Sequence, residues 1–411
     1  MENVKQAAIL IGGMGTRLGE AVRDTPKPLL EVCNRPFVEH LMLNLRRFGF
    51  HDFLLLAGYR AEVVQQRYGP NSDFVAELDA DVTVLVEPGP LGTAGALKFA
   101  AAHLQDQFLL LNGDSIFDFN YLDLCLADLP EEPREWVVRM ALLPVTSATR
   151  YGFVSVDGNR VSAFSEKPSQ PRSGLINSGV YLVNKRVLNH IEGAPSSLEQ
   201  DVFPALAESG LLFAKPYRGF FIDIGIPEDL ERARTQLLSE LTRPAAFLDR
   251  DGTLNYDAGY THRIDGFQWL PGAKDAIKAL NDAGYFVFVV TNQAGIARGY
   301  YNHDDVDSLH QWMRNELAGS GAHIDDFRFC PHHPEGRVPE FAIACQWRKP
   351  EPGMLVSLIK QWQPRLQESF MLGDSDKDVQ AAAAAGISGH LIAPGELLPT
   401  VLELLSRTTE K

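Results

Sequence analysis

The stretch Phe247-Leu248-Asp249-Arg250-Asp251-Gly252-Thr253-Leu254-Asn255 (FLDRDGTLN) decides how the chain is read. Two apolar residues run into two carboxylates one position apart, and Gly252 permits a tight turn directly after them. That is the pattern of a buried strand ending in a charged loop. Two carboxylates at the C-terminal end of a strand suit Mg²⁺ and phosphate chemistry. The stretch lies beyond residue 240, and the residues before it already hold a full set of strand and helix signals. The expectation is therefore two domains in series, residues 1–242 and 243–411, each of the α/β class and Rossmann-like.

The bulk properties agree with that reading. The chain has 411 residues, 45% hydrophobic and 22% charged, which is ordinary for a globular protein of two domains. A net charge of -15 argues against nucleic acid or an acidic membrane surface as partner. Four cysteines, Cys33, Cys125, Cys330 and Cys345, are too few and too scattered for a secreted disulfide framework. Cys33 and Cys125 read as buried thiols. MENVKQ is not a signal segment, and no apolar run is long enough to cross a bilayer, so a cytoplasmic location is expected. Oligomeric state is not written in the sequence.

Outward from the central stretch, the first half opens on the apolar run Gln6 to Ile11, expected to be a strand buried on both faces. It ends in Gly12-Gly13-Met14-Gly15-Thr16-Arg17-Leu18. Glycines let such a loop fold tightly with its N–H groups inward, which cradles phosphates, and Arg17 adds a planar cationic fork. Thr25-Pro26-Lys27-Pro28 sets a lysine on a stiff segment. Further strands are expected at 53–57, 82–86, 108–111, 176–182 and 220–225, and helices at 36–49, 61–68 and 227–241. Gly152 to Phe164, with Asp157-Gly158-Asn159 inside it, signals a hairpin. The polar groups Gly12, Gly92 and Asp114 all fall at the carboxyl ends of expected strands, where ligands bind in open α/β sheets.

The series GGMGTRL, PKP, LGTAGAL, LNGD, FSEKP, NSGVY and FIDIG resembles the sugar-1-phosphate nucleotidyltransferase family, in order, over nearly all of residues 5–240. The resemblance implies a mixed sheet. It implies that Gly12, Gly13, Gly15 and Thr16 hold a nucleoside triphosphate, and that Arg17 and Lys27 stabilise charge during transfer. It implies Mg²⁺ on Asp114 and Asp223, the base near Gly92 and Thr93, and the sugar phosphate near Glu166, Lys167 and Asn177. The ending FIDIGIPEDL most resembles the branch that joins a guanosine nucleotide to D-glycero-D-manno-heptose 1-phosphate in its α form, which favours GTP as donor. One departure is Ile11, where the family usually has alanine; it removes no hydrogen-bond donor.

Leu241 to Pro244 is a short joint without a Gly/Ser tether. Beyond FLDRDGTLN, a helix is expected at 272–283 and strands at 285–290 and 369–372, and Ala381 to Ala385 suits a closely packed helix. The motifs DRDGT, TNQ, RKP and GDSDKD, in that order, resemble the haloacid-dehalogenase-like (HAD-like) phosphatases, which implies a parallel sheet. By that resemblance Asp249 is the nucleophile, and Asp251 protonates the leaving oxygen and then activates water. Mg²⁺ sits on Asp249, the backbone carbonyl of Asp251, and Asp374, with Asp378 behind them and Asp376 at the surface. Thr291 and Lys349 hold the phosphoryl oxygens, and Asn292, Gln293 and Arg348 are candidates for substrate contacts. GIARGYY and CPHHP narrow the resemblance to the branch acting on D-glycero-D-manno-heptose 1,7-bisphosphate.

Relatives of that branch bind structural zinc through Cys-x-His and Cys-x-Cys. Cys330, His332 and Cys345 match, but Trp347 stands in the fourth place, so Zn²⁺ with His333 or water as substitute and a metal-free loop are both open. The two resemblances together imply a bifunctional enzyme. One half would remove the 7-phosphate, and the other would join the heptose 1-phosphate to a nucleotide. The alternatives are a mannose-1-phosphate guanylyltransferase fused to a histidinol-phosphate-like or other sugar phosphatase, or one half that is silent and regulatory.

Overall fold

The computed structural model describes residues 4–13, 15–126, 136–148, 151–165 and 170–409. The chain divides into two compact units, Glu2–Leu241 and Thr242–Lys411.

The strands of the first unit are, in chain order, β1 (Gln6–Leu10), β2 (Glu31–Val32), β3 (Arg35–Pro36), β4 (Asp52–Ala57), β5 (Asp81–Val86), β6 (Gln107–Asn112), β7 (Ser115–Phe117), β8 (Val138–Ala148), β9 (Phe153–Asp157), β10 (Arg160–Ser165), β11 (Arg172–Asn184), β12 (Leu212–Pro216) and β13 (Phe221–Asp223). Nine of them form one sheet in the order β5-β4-β1-β6-β11-β8-β12-β10-β9. β1 pairs in parallel with β4 and β6, and β4 with β5, whereas β11 runs antiparallel to β6 and β8. The sheet is therefore mixed, as expected. The apolar run of β1 has no polar alternation because both its faces are covered: Ala7, Ala8 and Ile9 are fully buried. From β1 the chain builds outward to β4 and β5, then crosses to β6 on the other side. The edges of β1 and β6 thus form a topological switch point, where a crevice opens at the carboxyl ends.

The expected hairpin is β9–β10, antiparallel, with Gly158 at φ 56 in its turn. β2 and β3 form a second hairpin whose two loop residues, Cys33 and Asn34, both have positive φ. Cys33, expected to be a buried thiol, is consequently only half-buried; Cys125, in the helix Tyr121–Leu126, is half-buried as a residue, while burial pushes its thiol up to about 12. A hairpin tip cannot be covered on all sides.

The second unit holds β14 (Ala245–Leu248), β15 (Phe286–Asn292), β16 (Asp326–Cys330), β17 (Phe370–Gly373) and β18 (Ser388–Leu391). They form a wholly parallel sheet in the order β16-β15-β14-β17-β18. Every residue of β14 is buried. Ala246 and Leu248 face one core with Ala276, Ile277, Leu309 and Met313. Ala245 and Phe247 face the other with Met354, Leu355, Leu358 and Ala381. Alternate residues of one short strand thus anchor helices on both faces, and Phe247→Ala would cost about 3–5 kcal/mol. Ala381 and Ala382 are fully buried in the helix Asp376–Ala384, where small side chains allow close approach to β18. The chain moves from β14 to β15 and β16 on one side and crosses to β17 on the other. A second switch point therefore lies between β14 and β17, directly after which come Asp249 and Asp374.

Candidate active sites

In the first unit the loops after β1, β5 and β6, together with the end of β13, line a cavity of about 810 Å³. Gly12, Gly13, Gly15, Arg17, Lys27, Gly92, Thr93, Asp114 and Asp223 all line it. Thr16 begins the short helix Thr16–Val22 beside it. Gly15, at φ 60, turns the chain into that helix, and a Cβ there would press on Val22 and Lys27. At Gly92 the need is stronger: φ is 74, and a Cβ would lie 2.4 Å from the Ser196 carbonyl oxygen. Thr93 accepts from the Leu198 N–H at 2.8 Å and donates to Glu199 at 3.1 Å, which ties this loop to the segment beside it.

The charged floor of the cavity is built by three residues far apart in sequence. Lys27 is almost fully buried, and its ammonium donates to Asp114 Oδ2 at 2.5 Å and to Asp223 Oδ1 at 3.5 Å. Asp223 also accepts from the Gly225 N–H at 2.6 Å, which fixes its rotamer. The antiparallel pairing of β7 and β13 sets Ser115 opposite Asp223, so one two-stranded ribbon brings the two carboxylates together. Asn177 lies in β11; its amide donates to Tyr181 Oη at 2.8 Å and its carbonyl accepts from Gly179 N–H. Glu166 and Lys167 lie outside the described residues. Tyr59, Arg60, Glu87 and Glu199 also line the cavity, though the sequence did not single them out. Glu87 follows β5 directly, and that strand-end position is the signal that could have found it. Burial pushes its carboxyl upward, against the opposing bond from Leu91 N–H.

In the second unit Asp249, Asp374 and Asp378 each offer a carboxylate oxygen, all within 4.8 Å of one another. The first two leave the ends of β14 and β17. Asp378 arrives from the first turn of the helix Asp376–Ala384, where it completes a capping box with Ser375. Its carboxylate reaches the other two, although it was expected behind the metal site. Asp376 is exposed, as expected. Lys349 is buried and binds three oxygens: Asp249 Oδ1 at 2.5 Å, Asp378 Oδ1 at 2.6 Å and the Val290 carbonyl at 2.8 Å. Burial pushes the Asp249 carboxyl up to about 7; Lys349 opposes that rise and Asp378 adds to it. For Lys349 burial favours the neutral amine, but the two carboxylates outweigh it and raise the value. Gly252 is required here: at φ 86, a Cβ would lie 2.0 Å from Asp374 Oδ2.

Asp251 stands apart from that cluster. Its carboxylate accepts from Arg250 at 2.9 and 3.0 Å, Gln293 at 2.9 Å, Asn255 at 3.1 Å and Thr291 at 3.5 Å. Asn292 and Gln293, expected at the substrate, are both committed to protein partners. Asn292 exchanges two hydrogen bonds with the Lys349 backbone, at 3.0 and 3.1 Å. Gln293 is buried, bonded to Asp251, Thr291 and the Tyr301 hydroxyl. Arg348 donates to the His332 carbonyl at 3.2 Å.

Cys330, His332 and Cys345 also come within 4.8 Å of one another through their ligating atoms. His333 is not part of that group; its Nδ1 accepts from Glu335 N–H, and Trp347 contributes its backbone N–H to Cys345 Sγ at 3.3 Å. The described residues of this cluster supply two thiols and one imidazole, three donors and not four.

Comparison with known proteins gives two families on one chain. The nucleotidyl transferase family matches residues 6–240, and a HAD-hydrolase-like family matches residues 346–409. A D-glycero-β-D-manno-heptose-1,7-bisphosphate 7-phosphatase of Rhodopseudomonas palustris is 54% identical over 147 residues, which is 36% of this chain and 82% of that protein. The protein of the same description from Escherichia coli K12 is 46% identical over 149 residues, 36% of this chain and 78% of its own. Among solved structures, HddC from Yersinia pseudotuberculosis is 30% identical with a TM-score of 0.50, covering 57% of this chain and all of that one. No helix among the described residues is long and apolar enough to cross a membrane.

Proposed function

From a chain that belongs to the nucleotidyl transferase family in its first unit and to the HAD-like phosphatases in its second, we propose one enzyme with two successive reactions on one sugar. The second unit removes the 7-phosphate of a D-glycero-D-manno-heptose 1,7-bisphosphate. The first unit joins the resulting 1-phosphate to a nucleoside triphosphate, guanosine triphosphate by preference, and releases pyrophosphate.

One observation carries the reading. In each unit a buried lysine meets two aspartates at the carboxyl edge of a sheet, at its switch point: Lys27 with Asp114 and Asp223, and Lys349 with Asp249 and Asp378. Anionic phosphate chemistry needs both charge signs in one dry place, and positioning carries most of its rate. Asp114 with Asp223, and Asp249 with Asp374 and the Asp251 backbone carbonyl, fit a hard divalent cation such as Mg²⁺, with Asp378 a further carboxylate donor beside the second set. When bound, that ion supplies neutralisation of phosphate charge.

In the phosphatase half, Asp249 attacks phosphorus. A bond forms between its oxygen and phosphorus, and the bond to the sugar oxygen breaks. That oxygen takes a proton from Asp251. Water then attacks phosphorus, Asp251 accepts its proton, and the bond from Asp249 to phosphorus breaks. Thr291 and Lys349 hold the phosphoryl oxygens, and Arg348 faces the rest of the substrate. In the transferase half, an oxygen of the sugar 1-phosphate attacks the α-phosphorus, and the bond to pyrophosphate breaks. The glycine loop positions the triphosphate, while Arg17 and Lys27 neutralise charge on the oxygens in transit. Gly92 and Thr93 lie at the base, and Glu166, Lys167 and Asn177 act on the sugar phosphate. The guanine preference rests on the FIDIGIPEDL ending. Cys330, His332 and Cys345 would hold a zinc ion only with a ligand from solvent, and no step depends on it.

The test supplies the bisphosphate with Mg²⁺ and each nucleoside triphosphate in turn, and reads phosphate, pyrophosphate and nucleotide sugar. Both anomers are needed, because the matched phosphatases are named for the β form and the guanylyl branch resembled above uses the α form. Phosphate followed by GDP-heptose is the expected product order. Pyrophosphate released with mannose 1-phosphate as fast as with heptose 1-phosphate would remove the heptose assignment.

A further inference from the structure

The geometry points to Arg250 as a positioning residue that aims the Asp251 carboxylate, with His310 holding Arg250 from behind. The inference rests on the phosphatase reading, and it concerns a group to which that reading gives no task. Arg250 is 0% exposed. A guanidinium so placed must find its counter-charge and its acceptors inside the protein. Its one ionic partner among the described residues is Asp251, its own neighbour in sequence, bound through both oxygens.

Nε also donates to Asp251 Oδ1, at 3.2 Å, so two nitrogens grip the one carboxylate. Nη2 also donates to the Thr261 carbonyl at 2.6 Å, and Nη1 donates to His310 Nε2 at 3.3 Å. A ring nitrogen that accepts from arginine cannot carry a proton, so His310 is neutral there. Burial and the charge of Arg250 both favour that neutral form. The ring is itself stacked on Phe327 at 4.3 Å, so it cannot retreat. The chain of contact runs Phe327, His310, Arg250, Asp251. On the far side, Gln293 and Asn255 hold the same carboxylate. Arg250 is thus held at all three guanidinium nitrogens, and the oxygen pair it grips belongs to the acid and base of the proposed reaction. Its planar fork matches a carboxylate in a way that a lysine ammonium does not.

A residue that aims an acid matters most where the leaving group needs a proton. A sugar alkoxide needs one and p-nitrophenolate does not. The experiment compares kcat/KM, which reports through the first phosphoryl transfer, for the heptose bisphosphate and for p-nitrophenyl phosphate in wild type and Arg250→Lys. The inference expects the loss on the sugar ester to exceed the loss on the aryl ester by at least about tenfold. Equal losses on the two esters would overturn it, since a general loosening of the site lowers both alike. If Arg250→Lys does not fold, His310→Leu and His310→Gln carry the test. His310→Leu removes the acceptor and is expected to give the same ester-selective loss. His310→Gln restores a side-chain acceptor and is expected to recover most of it. Equal losses in His310→Leu, or no recovery in His310→Gln, would likewise overturn the inference. A wild type inactive on both esters would fail the phosphatase reading itself, a separate result from equal losses in the variants.

Discussion

Gly252 and Asp374 show how tightly single residues are bound to one another. A methyl group at position 252 would sit 2.0 Å from the Asp374 carboxylate, on a backbone with φ 86. Gly252→Ala is expected to lose at least about 2 kcal/mol in urea unfolding of the second unit and most phosphatase activity, with nucleotidyl transfer unchanged. Asp249→Asn should leave the fold intact and lower phosphate release at least about 10³-fold, again sparing transfer. Asp223→Asn should do the reverse, and separate assays of phosphate and pyrophosphate read both. Loss of both products from either variant would contradict two independent sites. At this scale the sequence was most informative about glycines and carboxylates next to strand ends, because a turn and a charge there leave few arrangements. It was least informative about direction. Asn292 and Gln293 follow a strand end like the others, yet they bond to the Lys349 backbone and to Asp251, and nothing in residue order says which way an amide points.

Among elements, the helix His303–Ala318 couples to acidity through His310. Burial and Arg250 hold that imidazole's pKa well below its ordinary value of about 6.5. Below that pH the unfolded chain binds a proton that the folded chain refuses, so stability falls as pH drops. The loss begins near pH 6.5 and is bounded by about 1.4 kcal/mol per pH unit for one group. Urea unfolding between pH 7 and 5 should show this slope in the wild type, and His310→Gln should flatten it. A slope unchanged by the substitution would assign the effect to other groups. The same helix carries its own start signal, a capping box formed by Asn302 and Asp305. β16 and β18 were hard to see for a physical reason. They are the two edges of their sheet, partly exposed along most of their length, so they carry no continuous apolar run. β1 and β14, buried on both faces, carry one and were evident.

For the whole molecule, the division at Leu241 and Thr242 makes a direct forecast. Each unit closes its own sheet and has its own buried core, so residues 1–241 and 242–411 expressed apart should each fold cooperatively. The first piece should release pyrophosphate from sugar 1-phosphate and nucleotide, and the second should release phosphate from the bisphosphate. Insolubility of both pieces, where the full chain is soluble, would contradict the forecast.

Lys27 has a wider consequence. Its ammonium already bridges Asp114 and Asp223, so under the proposed function a divalent ion taken up by those carboxylates would compete with a tethered rival. Lys27→Met would remove the rival. Calorimetry with Mn²⁺ should then find tighter ion uptake in a protein that turns over more slowly, since the displaced ammonium is also the charge that would meet the triphosphate. Affinity and speed would part company at one side chain, and the resident lysine would keep the pocket from becoming a metal trap.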